Sequence, residues 1–434
     1  MVRVLGRYDQ PLHTADCHLG QRLAGHDRTE EHTHFLKWLL KMIRDEEIQL
    51  LIVAGDVFDS AHPPQATMQL YYDFLRDLSA LERCGAVFGG GNHNSPAHLN
   101  ASSGLLKRFQ IHVIGSPSAD REEDIIKISP GFDLLDSICV CGVRYLRDRD
   151  VLQIVVGDAM GQREERLREG IYQYYEDVRQ LAQAHRDRDV PIIATGHLTM
   201  NGSAEHDDHQ ELQSGTLGAL QEARFPQDFD YVALGHLHEP HALGGCVSMR
   251  YAGSPFPMSF SECDHDKSVV LLDFQAGQLC KYDLLPIPIF RKRHRYGGTL
   301  ADLSRWALET LPSGTHPLQP WLEVHLTDEA TPSLPEKVHE LLRDADIEIL
   351  KVLTQARERP SKVWQSGETS LQEYRPAEVF AERCKAAELD LDEETACRET
   401  FEELLGLHKA RKLELTGMLI LALVARNLLF AWGA

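Results

Sequence analysis

Five short stretches concentrate the side chains that can do chemistry: His13-Thr14-Ala15-Asp16-Cys17-His18, Gly55-Asp56, Gly91-Asn92-His93-Asn94, Gly196-His197 and Gly235-His236-Leu237-His238. Between them they offer two aspartates (Asp16, Asp56), the Asn92 oxygen and four histidines (His18, His197, His236, His238), a mixed oxygen and nitrogen set without thiolate. Such donors suit Mn²⁺, Fe or Zn²⁺ better than Ca²⁺ or an iron–sulfur cluster. A carboxylate has two oxygens, so Asp56 can bridge two ions roughly 3.5 to 4 Å apart. A pair of that kind acidifies a water, neutralises the oxygens on phosphorus and holds the nucleophile in line with the leaving oxygen. That is phosphoryl-transfer chemistry. Taken singly, a D-x-H triplet or a Gly-His pair is an ordinary loop, and it is the ordered series of five that carries the signal.

The motifs follow apolar runs that read as strands: Leu50 to Ala54, Ala86 to Gly89, Ile192 to Thr195 and Tyr231 to Leu234, with further strands at Ile111 to Ile114, Ile138 to Val143 and Val269 to Phe274. Spaced apolar residues in Glu30 to Glu47, Ala66 to Arg83 and Arg163 to Arg186 read as helices between them. This alternation is α/β. In open α/β sheets ligands collect at the carboxyl ends of strands, so motifs far apart in sequence can meet in one crevice. The glycine ahead of each ligand is expected to let the backbone turn sharply out of its strand. Val247 to Leu285 has shorter apolar segments broken by Gly and Pro, the pattern of antiparallel strands at a sheet edge.

The 434 residues are enough for two or three domains, and 43% hydrophobic with 26% charged residues excludes wholesale disorder, collagen-like and coiled-coil classes. A formal charge of −21 argues against a protein that coats nucleic acid by bulk electrostatics, but leaves room for a local basic groove or bound cations. The 22 histidines hint at metal or proton chemistry, with surface histidines the plainer explanation. Nine scattered cysteines without a C-x-x-C pair point to neither a disulfide framework nor a zinc ribbon. Met1 to Gly20 lacks a basic region followed by a long apolar run, so a cytoplasmic protein is expected.

Four regions are expected. Residues 1–286 form the α/β core. Residues 287–355, with strands at Trp321 to Thr327 and Glu348 to Leu353 and a helix at Leu334 to Arg343, form a small α+β domain. Residues 356–375 read as a polar linker, and 376–434 as a helical region. Residues 376 to 408 hold ten acids and three bases, so that segment does not face DNA phosphates. The basic cluster Phe290-Arg291-Lys292-Arg293-His294-Arg295 is either a solvated loop or a grip on phosphates through Arg291, Lys292, Arg293 and Arg295. Glu205 to His209 reads as a polar loop rather than a third metal site, Cys17 as pointing away from the ligands that flank it, and Phe35, Trp38 and Leu39 as core. The apolar stretch Leu415 to Ala434 is close to the ~20 residues of a membrane span. Arg426 near its middle makes spanning expensive, and a helix docked on this protein or a partner is expected instead.

The phrases HTADCHLG, IVAGDVFDSAHPP, GGGNHNSPAHLN, IIATGHLT, YVALGHLH and RYAGSPFPMSF resemble those of the calcineurin-like metallophosphoesterase superfamily and, within it, the SbcD family of nuclease subunits. The likeness is specific over residues 12 to 290 and looser to about 408, where LQEYRPAEVFAERC is similar to the family's C-terminal element. It implies an αββα sandwich core, a capping domain for DNA and C-terminal helices for a partner. It also implies that Asp16, His18 and His238 hold one metal, Asp56 bridges, and Asn92, His197 and His236 hold the other. His93 would be the catalytic histidine, protonating the leaving 3′ oxygen. The family implies Mn²⁺, exonuclease and endonuclease action on DNA ends and hairpins in repair and recombination, and a homodimer bound to an SbcC-type ABC ATPase in a heterotetramer. This chain has no G-x-x-x-x-G-K-[ST] loop, so ATP hydrolysis would come from that partner.

Two departures from the family pattern stand out. Its GNHD reads Gly91-Asn92-His93-Asn94 here, and Asn94 is expected behind His93, accepting a hydrogen bond without contributing charge and so making His93 less basic. Gly6 to Pro11 separates Val2 to Leu5 from Leu12, and Pro11 cannot donate a ladder hydrogen bond, so a central first strand is expected to begin after it or be interrupted. Two alternatives stay open: a phosphoesterase of small phosphate esters, and an impaired subunit that mainly assembles the complex.

Overall fold

The computed structural model describes residues 10–116, 120–129, 138–151, 160–184, 186, 189–200, 219–244, 248–311, 316–328, 331, 333–354, 380 and 401. The start of the insertion at Gly6, the Glu205 to His209 loop, the 356–375 linker and the apolar tail lie outside these residues, as does the C-terminal helical region apart from Phe380 and Phe401. The chain divides into two compact units. One comprises Met1–Arg295, Ser313–Glu323 and Asp346–Lys351; the other comprises Tyr296–Pro312 and Val324–Ala345 with the chain from Val352.

Two six-stranded sheets make up the first unit's core. The first contains β1 (Pro11–Thr14), β4 (Leu50–Val53), β5 (Gly85–Gly89), β6 (Ile111–Ile114), β13 (Ser268–Gln275) and β14 (Gln278–Pro286), in the order β14-β13-β1-β4-β5-β6. β1, β4, β5 and β6 run parallel, and the β13–β14 hairpin closes the edge antiparallel. The second contains β7 (Ile125–Ile128), β8 (Ile138–Cys141), β9 (Ile192–His197), β10 (Tyr231–Gly235), β11 (His241–Ala242) and β12 (Met249–Tyr251), in the order β11-β12-β10-β9-β8-β7. Its inner four strands are parallel. A two-stranded ribbon, β2 (Arg22–Leu23) with β3 (His26–Asp27), stands apart from both.

Side chains alternate along each strand, and this sets the layers. Leu51 and Val53 of β4 join Phe35, Leu39 and Ile43 of helix α1 (Thr29–Asp45) and Tyr71, Phe74 and Leu78 of α2 (Gln65–Ser79) in one apolar cluster. Leu50 and Ile52, on the opposite face, meet Val140, Ile193 and Ala233 of the second sheet. That sheet's other face carries Cys139, Ala194 and Leu234, packed on Ile171, Tyr175 and Val178 of α6 (Met160–Ala184). The result is helices, sheet, sheet, helix: the αββα sandwich. Three short helices, α3 (Pro96–Asn100), α4 (Ser103–Leu106) and α5 (Asp148–Val151), follow β5 and β8.

After β14 come β15 (Arg291–Gly298), α7 (Leu300–Thr310), β16 (Leu318–Leu326), α8 (Leu334–Leu341) and β17 (Glu348–Thr354), with strand order β15-β16-β17. In the second unit Leu303, Val324, Leu326, Leu334 and Val338 are buried, and the side chain of Thr299 caps α7 by accepting from the Asp302 amide. Among the described residues no helix is long and apolar enough to cross a membrane.

The structure corrects two expectations. β1 begins on Pro11 itself rather than after it, with Pro11 paired to Leu50 at the first position of a central strand, where the missing N–H breaks no ladder. The basic cluster is neither loop nor open grip, because it forms the first half of β15 and buries Arg291 and Arg293. Arg293 Nη2 donates to both Glu31 oxygens at 2.6 and 2.8 Å, and Arg28 Nε reaches Glu31 Oε2 at 2.9 Å. Arg291 donates to the Gln319 carbonyl, lies over the Trp321 ring and faces Glu30. Of the four candidates only Arg295 is exposed, with Lys292 half-buried, and Arg295 has Glu323 3.4 Å away.

Candidate metal centre

The loops that follow β1, β4, β5, β9 and β10 converge where the two sheets meet. Backbone bonds tie the first two together: Asp16 N to Gly55 O, His18 N to Asp56 O and Leu19 N to Val57 O. The second sheet is joined to them through Asp16, whose two carboxylate oxygens accept the His236 amide at 3.0 Å.

Four of the seven expected ligands hold positive φ without being glycine: Asp16 (50°), His18 (41°), Asp56 (38°) and His236 (100°). Such backbone costs of order 1–3 kcal/mol per residue and persists where surrounding structure dictates it. Three of the four glycines play a different part from the one expected. Only Gly55 turns with positive φ; Gly91, Gly196 and Gly235 serve close approach. A Cβ on Gly235 would lie 1.8 Å from the Ala54 carbonyl oxygen, and one on Gly55 would lie 1.9 Å from His197 Nδ1.

The side chains gather in two groups. The His18 ring lies 5.2 Å from that of His238 and 5.0 Å from that of His93, and donor atoms of Asp16, His18 and Asp56 lie within 4.8 Å of one another. The His197 ring lies 5.0 Å from that of His236. His197 Nε2 is 2.9 Å from Asn92 Oδ1 and 3.1 Å from Asp56 Oδ2, while the other Asp56 oxygen accepts the His93 amide at 3.0 Å. Asp56 thus stands between the groups.

The donor set fits divalent cations. His197 Nδ1 donates to the Ala54 carbonyl at 3.1 Å, so in the neutral ring the Nε2 lone pair points at two oxygens that can only accept. A shared cation or a proton relieves that repulsion. Without metal the proton wins: although burial alone would lower it, the Asp56 and Asp16 carboxylates raise the His197 pKa to about 9. Both His18 ring nitrogens and His236 Nδ1 are buried without a hydrogen-bond partner among the described residues, so each is left with a nitrogen that a cation could take. Burial raises the Asp16 pKa, whereas Asp56 is held well below the carboxylate range because His197 and His18 outweigh its burial.

Asn94 does not touch the His93 ring. Its Oδ1 accepts the amides of Val57 and Gly91, and its Nδ2 donates to the Phe58 carbonyl at 2.7 Å, so the carboxamide laces two ligand loops together. The His93 ring is steered elsewhere: Nδ1 donates to the Asp59 carbonyl at 2.9 Å. Cys17 lies in the helix-side core, away from the ligands.

Four contributors escaped the sequence reading. The Asp59 carboxylate is 3.4 Å from His18 Nδ1, and its place three residues after Asp56 was the available signal. Lys267 donates to Glu262, the His238 carbonyl and Ser254 at 2.6, 2.9 and 3.0 Å, and Glu262 lies 3.9 Å from His238 Nδ1. Carboxylates behind a metal-binding imidazole fix its orientation. The Tyr145 ring meets the His197 ring edge-on at 6.1 Å.

Comparison with known proteins bears on the same residues. Residues 11–240 match the calcineurin-like phosphoesterase family, and residues 289–388 match a family described as the Type 5 capsule protein repressor C-terminal domain. The chain is 32% identical over 405 residues to the SbcD subunit of the SbcCD nuclease of Escherichia coli (strain K12), covering 92% of this chain and 99% of that protein. It is 34% identical over 271 residues to the Bacillus subtilis (strain 168) protein of the same name, covering 62% and 66%. With the Rhodobacter capsulatus protein of that name it shares 33% over 319 residues, covering 70% and 78%.

Proposed function

Because the chain belongs to the SbcD family of calcineurin-like phosphoesterases, we propose that it is the nuclease subunit of a complex that processes DNA double-strand ends and hairpins, hydrolysing phosphodiesters as exonuclease and endonuclease. The observation that carries this reading is the convergence of Asp16, His18, Asp56, Asn92, His197, His236 and His238 around a central carboxylate, with His93 beside them.

Asp16, His18, Asp56 and His238 would hold one divalent ion and Asp56, Asn92, His197 and His236 the other, Mn²⁺ being the proposed metal. Bound there, the ions would supply positive charge for the phosphate oxygens and make a water acidic enough to attack phosphorus. The chain's own groups do the rest. The Ala54 carbonyl fixes the His197 tautomer so that Nε2 faces Asn92 and Asp56. The Asp59 carbonyl holds a proton on His93 Nδ1, which leaves Nε2 as the nitrogen to meet the leaving 3′ oxygen. His93 Nε2 would then be the atom that passes a proton to that oxygen.

ATP dependence would come from an SbcC-type ATPase bound to a homodimer of this chain in the cytoplasm, with the 376–408 segment facing the ATPase. The 287–355 region would act as the capping module over DNA. After the burial of Arg291 and Arg293, Lys292 and Arg295 are its remaining phosphate-contact candidates in the basic cluster.

The test is Mn²⁺-dependent cutting of linear and hairpin DNA by purified protein, beside bis-p-nitrophenyl phosphate and an Asp56→Ala control. Cutting lost in Asp56→Ala supports the nuclease. Hydrolysis of the small diester without DNA cutting, with SbcC-type partner present, would favour a small-ester phosphoesterase; no activity on either would favour an assembly subunit.

A further inference from the structure

The segment after β8 runs Val143-Arg144-Tyr145-Leu146-Arg147 into α5 and contributes no expected metal ligand, yet it lies against the site. The Tyr145 amide donates to the Gly90 carbonyl at 2.8 Å, immediately before Gly91, and its ring abuts His197. Two residues on, Arg147 Nη2 donates to the Asn94 carbonyl at 3.1 Å. The guanidinium is therefore fixed on the residue that follows His93.

Among the described residues Arg147 has no counter-charge, unlike the other arginines of its loop and of the Glu31 cluster. Arg144 is buried on Asp150 at 3.2 Å and on the Tyr145 carbonyl. Asp150 is further occupied by the Arg147 backbone amide at 2.9 Å, and Asp148 by Arg163 at 2.8 Å. Arg28 and Arg293 share Glu31. Among the described residues, no carboxylate comes within ion-pair distance of the Arg147 side chain, which is only half-buried and is anchored by one neutral carbonyl. An arginine held at one nitrogen keeps most of its donor fork for another oxygen. At a site ringed by Asp16, Asp56 and Asp59, a fixed cation also favours an approaching anion.

We propose that Arg147 is a substrate-binding residue that donates to a non-bridging oxygen of the phosphodiester being cut. This rests on the phosphoesterase reading above and adds a protein cation to the charge that the metals provide. Asn94 then has a second use: its side chain sets the loop, and its carbonyl aims the arginine.

The experiment is calorimetric titration of inorganic phosphate into the Mn²⁺-loaded full-length chain, comparing wild type with Arg147→Gln and Arg147→Lys. Mn²⁺ per chain is counted in each sample, and bis-p-nitrophenyl phosphate kinetics are run alongside. Arg147→Gln should keep the wild-type Mn²⁺ content, bind phosphate about 10- to 100-fold more weakly and raise KM, since hydrogen bonds to charged groups are the strong ones. Arg147→Lys should fall between, keeping charge without the fork. Phosphate affinity equal to wild type in fully loaded Arg147→Gln would overturn the proposal. So would a loss that tracks missing Mn²⁺, because the arginine would then only hold the loop. The parent reading fails separately: a wild-type chain that binds phosphate through Arg147 and cleaves the small diester but never DNA would sink the nuclease and leave this contact standing.

Discussion

Asp56 occupies the space where Gly91 would carry a side chain: a Cβ on Gly91 would lie 2.1 Å from Asp56 Oδ1 and 2.5 Å from its backbone nitrogen. The central carboxylate and the loop bearing Asn92 and His93 are therefore one packed unit, closed by the His93 amide on the same oxygen.

Gly91→Ala should push the two loops apart. We expect a folded protein destabilised by about 1 to 3 kcal/mol, the usual cost of overpacking, and holding less Mn²⁺ per chain than wild type by elemental analysis. Full metal content with an unchanged melting temperature would show that the loops yield freely and that the contact does not fix the ligands.

Asn94→Ala strips partners from Val57 N, Gly91 N and Phe58 O, and should cost about 2 to 4 kcal/mol in urea unfolding. Asn94→Asp keeps both acceptor bonds but sets an oxygen against the Phe58 carbonyl. Its carboxyl should have a raised folded pKa, so the penalty is full above that pKa and vanishes below the unfolded value near 4. If Asn94→Asp equals wild type in stability at pH 7, the carboxamide donor is unimportant.

Arg293→Met removes one of two cations from buried Glu31 and should cost about 3 to 5 kcal/mol. Lys292→Ala and Arg295→Ala should stay within about 0.5 kcal/mol. Equal, small effects at all three positions in denaturation curves would return Arg293 to the surface role that its sequence suggests.

Acid should weaken the fold from near neutrality. Burial holds both His13 and His32 down to about 3, and among the described residues His32 has no hydrogen-bond partner at either nitrogen. Between the unfolded value of about 6.5 and that folded value the unfolded chain binds more protons, so stability falls as pH falls, by up to about 1.4 kcal/mol per unit for each group. His32→Leu should flatten the dependence of urea midpoints between pH 7.5 and 5.5 relative to wild type. Parallel curves would mean that His32 takes up its proton in the folded state too.

The sandwich was legible because its parallel strands are buried on both faces and read as unbroken apolar runs, as in Leu50 to Val53 and Ile192 to Ala194. Five of the expected ligands, Asp56, Asn92, His197, His236 and His238, were legible because each sits at or just past such a run, whereas Asp16 and His18 follow the short Pro11–Thr14 strand that Pro11 obscured. β15 was not: Arg291 and Arg293 look solvent-loving until Glu30 and Glu31, some 260 residues earlier, are brought beneath them by the fold. Apart from Gly55, the glycines were recognised for the wrong reason, since what each must avoid, such as Asp56 beside Gly91 or Ala54 beside Gly235, comes from a different part of the chain. Asn94 accepts hydrogen bonds as expected, but from backbone groups that no motif displays.

The proposed ligands are divided between the sheets: Asp16, His18, Asp56 and Asn92 follow β1, β4 and β5, whereas His197, His236 and His238 come with β9 and β10. Neither proposed donor set can be completed from one sheet. Ion capture would thus act as a checkpoint on assembly, with each ion riveting two independently knitted halves of the core. A newly made chain whose sheets had met out of register would hold neither donor set complete, so metal loading would report that the two sheets have docked.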